Sequence, residues 1–115
     1  MASYGDDIEI RKRYYGKITI INRAVEDGSI FPMTGEKITI GRGSNCDIRI
    51  HVPMISRKHC DIKVENGNEV WLTNWSANFG QLLVNQEAME WQQTLKLKNG
   101  DVITLADRSL LYSYP

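Results

Sequence analysis

The chain divides its apolar residues into short alternating runs and places turn-forming residues between them. The runs are Lys17-Ile18-Thr19-Ile20-Ile21, Lys37-Ile38-Thr39-Ile40, Cys60-Asp61-Ile62-Lys63-Val64, Val70-Trp71-Leu72, Leu82-Leu83-Val84, Thr94-Leu95-Lys96-Leu97, Val102-Ile103-Thr104-Leu105 and Leu110-Leu111-Tyr112. Alternation with a period of two, rich in β-branched residues, predicts half-buried strands. Asn66-Gly67 between two such runs is a strong hairpin signal, and Asp27-Gly28 and Asn99-Gly100-Asp101 mark further turns. Ile30-Phe31-Pro32-Met33 reads as a short extended piece whose proline suits a sheet edge, and Ile48-Arg49-Ile50 as another. Glu87-Ala88-Met89-Glu90 is compatible with a helical turn. About ten to eleven short strands with turns at this spacing predict an all-β sandwich. The chain carries no internal repeat or heptad pattern.

A length of 115 residues predicts one domain with a modest core. Residues 1–16 read as a polar N-terminal tail, with Arg11-Lys12-Arg13 as a solvated basic cluster, and residues 17–115 as the domain. Lys plus Arg and Asp plus Glu both number 14, so the net charge is zero, which argues against direct nucleic-acid binding. No apolar run is long enough for a membrane helix, and the N-terminus lacks a signal-peptide pattern, so the chain reads as intracellular. Cys46 and Cys60 then read as free, buried thiols rather than a disulfide. A zinc site recruiting His51 and His59 is excluded: His59 and Cys60 are adjacent in a strand and point to opposite faces, and no Cys-x-x-Cys pair exists. Trp71, Trp75 and Trp91 are expected in the core or on a sheet face.

The chemistry concentrates between Gly41 and His59. Two loops flank the short Ile48-Arg49-Ile50 run, one offering Arg42 and Ser44, the other Ser56, Arg57 and Lys58. Strand parity would bury Arg42 with Ile38 and Ile40, so the strand must break there, and Gly41 and Gly43 supply backbone freedom for the break. Cations and hydroxyls converging from two loops suit a doubly charged oxyanion, because the arginine fork matches phosphate geometry. Lys58 is expected to add positive potential. A nucleophilic Ser56–His59 pair would need an orienting third group and an oxyanion hole, and the sequence marks neither. No catalytic residue, metal or cofactor is therefore expected.

Gly41-Arg42, then Cys46-Asp47-Ile48, then Ser56-x-x-His59, then an Asn-containing loop resembles the forkhead-associated (FHA) domain over roughly Lys17 to Tyr114. Within the family, Gly41-Arg42-Gly43, Cys46-Asp47-Ile48-Arg49-Ile50 and Lys98-Asn99-Gly100-Asp101-Val102-Ile103-Thr104 look most like domains of nuclear, chromosome-associated proteins. The resemblance implies an FHA-like β-sandwich that binds phosphothreonine peptides and is not an enzyme. It implies that Arg42 and Ser56 hold phosphate, that Arg57 reaches phosphate or peptide backbone, and that Asn78 bridges the ligand backbone. Ser44, with Gly43 and Asn45, offers further donors. His59 is expected to bond loop backbone rather than phosphate, with Gly41 supporting the same loops. The chain departs from the family pattern at Ala77, which lacks the hydroxyl of the usual threonine, and at Phe79, in place of a turn glycine. The implied location is the nucleus, on chromatin or mitotic chromosomes, and the implied partners are phosphothreonine-containing nuclear proteins. The alternative is a divergent, phosphate-independent interaction module that forms a homodimer.

Overall fold

The computed structural model describes residues 15–21 and 30–114. Eleven strands run in order: β1 (Lys17–Ile21), β2 (Ile30–Pro32), β3 (Lys37–Gly41), β4 (Ile48–Arg49), β5 (Cys60–Glu65), β6 (Glu69–Asn74), β7 (Leu82–Val84), β8 (Glu87–Ala88), β9 (Thr94–Lys96), β10 (Val102–Leu105) and β11 (Arg108–Ser113). They form a six-stranded sheet ordered β2-β1-β11-β10-β7-β8 and a five-stranded sheet ordered β4-β3-β5-β6-β9. The chain is thus the all-β sandwich that its alternation predicts, with Pro32 on an edge strand. The Asp27-Gly28 turn and the Arg11–Arg13 cluster lie outside the described residues.

Parity decides the core. Val70, Leu72 and Asn74 of β6 are buried while the residues between them are not, and Ile103 and Leu105 of β10 repeat the pattern. Ile18, Ile40, Ile62, Leu72, Leu82, Ile103, Leu105 and Leu110 are each fully buried, and burying such a side chain contributes about 1.5–3 kcal/mol. Tyr15 and Gly16, counted above with the tail, join this framework: Tyr15 N–H donates to the Met33 carbonyl at 2.9 Å and Gly16 O accepts from Met33 N–H at 2.8 Å. The Tyr112 hydroxyl, at 2.9 Å, caps the Tyr15 carbonyl. Burial, then Tyr114, raises the Tyr112 phenol to about 12.

Three expectations need correction. Glu87-Ala88-Met89-Glu90 is not a helical turn: Asn85 and Gln86, with φ of 51° and 73°, reverse the chain so that Leu83 pairs with Ala88 and Val84 with Glu87. Cys60 is buried in the core, where burial pushes its thiol up, but Cys46 is only half-buried. Trp91 is neither core nor sheet face: it sits 59% exposed on the β8–β9 connection, whereas Trp71 and Trp75 are half-buried.

Pairing also places the loops. Ile40 pairs with Cys60 and Cys60 with Asn74, so the β3–β4, β4–β5 and β6–β7 connections emerge at one pole. Lys17 pairs with Ser113 at the other pole, where the start of β1 and the end of β11 lie side by side.

Candidate functional site

The β3–β4 and β4–β5 loops are stitched together through main chain. Arg42 N–H donates to the Ser56 carbonyl at 2.9 Å, and Gly43 N–H to the Arg57 carbonyl at 3.0 Å. The Cys46 thiol donates to the same Arg57 carbonyl at 3.0 Å, which explains why this cysteine is not in the core. A Cβ on Gly41 would lie 2.3 Å from Arg57 O and 2.9 Å from Ser56 O. Glycine is required at position 41 because another backbone passes through the space a side chain needs. This corrects the expectation of conformational freedom: among the described residues the positive-φ glycines are elsewhere, at 16, 67, 80 and 100. β4 returns parallel to β3, pairing Ile40 with Ile48 and Gly41 with Arg49. The return is secured by Asp47, whose carboxylate accepts Thr39 N–H at 2.8 Å.

This stitching gathers cations. Arg42 Nε donates to the Ile55 carbonyl at 2.9 Å, which aims the side chain and leaves its terminal nitrogens without a protein partner among the described residues. Arg49 Nε donates to the Arg42 carbonyl at 3.0 Å. Arg42, Gly43, Ser44, Asn45, Arg49 and Arg57 line a cleft of about 440 Å³. Arg42 and Arg49 also line the adjoining hollow with His51 and Pro53. No acidic residue belongs to either lining, and among the described residues no carboxylate pairs with any of the three arginines. Three guanidiniums with no internal counter-charge repel one another, and a bound dianion relieves that repulsion.

Of the residues singled out from sequence, Arg42, Ser44 and Arg57 share this cleft. Ser56 is half-buried beside it and is not among its lining residues, although its backbone fastens the loops. Asn78 is exposed on the β6–β7 loop and likewise does not line the cleft. Lys58, expected to add positive potential, instead faces Asp61 at 3.4 Å. Arg49 is the cleft residue that sequence reasoning missed. Alternation with buried Ile48 and Ile50 marks it as solvent-facing, but only the folded-back loop shows that it faces the same solvent as Arg42.

His59 is fully buried and joins loops. Its Nδ1 accepts Ser56 N–H at 3.1 Å, so the ring proton resides on Nε2, which donates to the Gln81 carbonyl at 2.7 Å. Burial lowers its pKa from 6.5, against the opposing effect of the Gln81 bond, and the ring is neutral at pH 7. The β6–β7 loop is fixed a second time by buried Asn74, which accepts Ser76 N–H and donates to the carbonyls of Met89 and Glu90. Phe79 is 74% exposed. The positive φ of this loop, 89°, falls one residue later on Gly80, so a side chain at 79 is unstrained.

Against known proteins, residues 38–106 match the FHA domain family model. The human proliferation marker protein Ki-67 is 38% identical over 96 residues, which are 84% of this chain. This chain spans about 3% of that relative's length. The MEK1 FHA domain superposes with a TM-score of 0.79 at 17% identity, covering 96% of this chain and 99% of that one. A structure described as a structural and functional analysis of phosphothreonine-dependent FHA domain interactions superposes with a TM-score of 0.71 at 21% identity, covering 86% of this chain and 97% of that one. The chain belongs to the FHA domain family.

Proposed function

We propose that this domain is a phosphopeptide-binding interaction module that holds phosphothreonine segments of nuclear, chromosome-associated proteins in the Arg42–Arg49–Arg57 cleft. The observation that carries this reading is three arginines, Arg42 and Arg57 on two stitched loops and Arg49 on the β4 strand between them, with no acidic partner among the described residues. A phosphothreonine brings about −1.5 to −2 charge and three acceptor oxygens, which such a cleft complements. Arg42, Ser44 and Arg57 contact phosphate, with Arg49 behind them. Ser56 and Asn78 approach the ligand from the flanks, while Gly41 and His59 hold the loops. The nuclear setting rests on the sequence resemblance, with which a relative named a proliferation marker is in keeping, and the phosphothreonine-dependent neighbour supports the ligand class.

The test is an oriented phosphothreonine peptide array with matched phosphoserine and unphosphorylated arms, followed by calorimetry on the selected peptide. Phosphate-dependent binding supports the reading. Equal binding to phosphorylated and unphosphorylated peptides overturns it and favours a phosphate-independent module.

A further inference from the structure

Asp61 is a buried carboxylate that the phosphate cleft does not use. It lies on β5 between Cys60 and Ile62, whose side chains enter the core, so its own side chain is on the outer face of the sheet. It is nevertheless 0% exposed. Trp75 and Lys58 accompany it there. The Trp75 indole N–H donates to Oδ2 at 2.9 Å. Lys58 Nζ stands 3.4 Å from that same oxygen and 4.9 Å from the centroid of the Trp75 ring. The other oxygen, Oδ1, has no hydrogen-bond partner among the described residues. A carboxylate taken out of water and half satisfied is costly unless a cation stands beside it, and Lys58 is that cation.

The three residues come from three places. Lys58 follows Arg57 on the β4–β5 loop, Asp61 is in β5, and Trp75 opens the β6–β7 loop. The backbone N–H of Trp75 donates to the His59 carbonyl at 2.9 Å. Neighbouring residues on the β4–β5 loop are therefore drawn in different directions: Arg57 by its carbonyl towards Gly43 and Cys46, Lys58 by its ammonium towards Asp61 and Trp75. Together these ties set the orientation of the peptide unit between them, and with it the point from which the Arg57 side chain leaves the backbone.

We propose that Lys58, Asp61 and Trp75 form a second fastening of the binding loops, distinct from the bonds of the His59 ring, and that its task is to hold Arg57 at the cleft. Lys58 and Trp75 are positioning residues and do not touch the ligand. The effect on affinity rests on the phosphopeptide reading above, whereas the effect on the loops does not.

The experiment uses the whole chain. Lys58→Met removes the ammonium and keeps an apolar stem against Trp75. Amide exchange at Arg42 and Gly43, whose N–H groups bond Ser56 and Arg57, is expected to accelerate about ten-fold without ligand. Affinity for the array-selected phosphothreonine peptide is expected to fall about five-fold. In an Arg57→Ala background the same substitution leaves affinity unchanged, because the effect passes through Arg57. Adding Asp61→Asn to Lys58→Met removes the uncompensated charge, so the melting temperature recovers while exchange and affinity do not. Unchanged exchange in Lys58→Met overturns the proposal, as does an affinity loss that persists without Arg57, which would make Lys58 a ligand contact. Where the native chain binds no phosphopeptide, the function reading fails and the exchange result alone decides on the fastening.

Discussion

Arg42 does two things at once. Its Nε bonds the neighbouring loop, and its terminal nitrogens have no protein partner among the described residues, which is what the proposed phosphate contact requires. Arg42→Ala is expected to weaken phosphopeptide binding by ~2 kcal/mol or more, about thirty-fold in Kd, measured by calorimetry. Gly41 is a sharper test of the loop geometry, since it is buried and does not line the cleft. Gly41→Ala forces a methyl into the Arg57 carbonyl and should lower stability by about 1–3 kcal/mol in chemical denaturation, with a parallel loss of binding. His59 adds a pH dependence. Its folded pKa lies below the ordinary 6.5, so as pH falls the unfolded chain takes up the proton first. Stability from this group is intact above about 6.5 and is lost as pH falls towards the folded value. A melting-temperature profile without ligand should decline through that window, and His59→Gln should flatten it.

The strands were the most legible elements, because alternation is a local signal and parity alone assigns a face. β6, with every second residue buried, reads directly from Val70 and Leu72, whereas its last buried residue, Asn74, is polar and reads from sequence as loop. β8 did not read so easily. Glu87, Ala88 and Met89 are good helix formers, and the turn before them, Asn85-Gln86, lacks the glycine that usually marks a two-residue hairpin. Gln86 holds a φ of 73° that a side chain disfavours. Gln86→Gly is therefore expected to stabilise the domain by about 0.5–1 kcal/mol, seen as a higher denaturation midpoint. The cleft was half legible for a related reason. Arg42, Ser44 and Arg57 sit in loops that sequence motifs flag. Arg49's place in the cleft, and the pairing of Lys58 with Asp61 rather than with a ligand, depend on contacts between segments that no local pattern reports.

Across the whole molecule the formal charge is zero, yet three arginines crowd one pole. At physiological salt the screening length is about 8 Å, so an approaching phosphopeptide senses the cleft and not the average. Raising salt should slow association strongly and change dissociation little, as read by stopped-flow binding. Salt-independent association would mean that the arginines are not the first point of encounter. The pairing of Lys17 with Ser113, and the Tyr112 hydroxyl on Tyr15, set the two ends of the described chain together on the pole away from these loops. The cleft and the β1–β11 seam are thus back to back, and whatever enters the cleft does so without passing that seam.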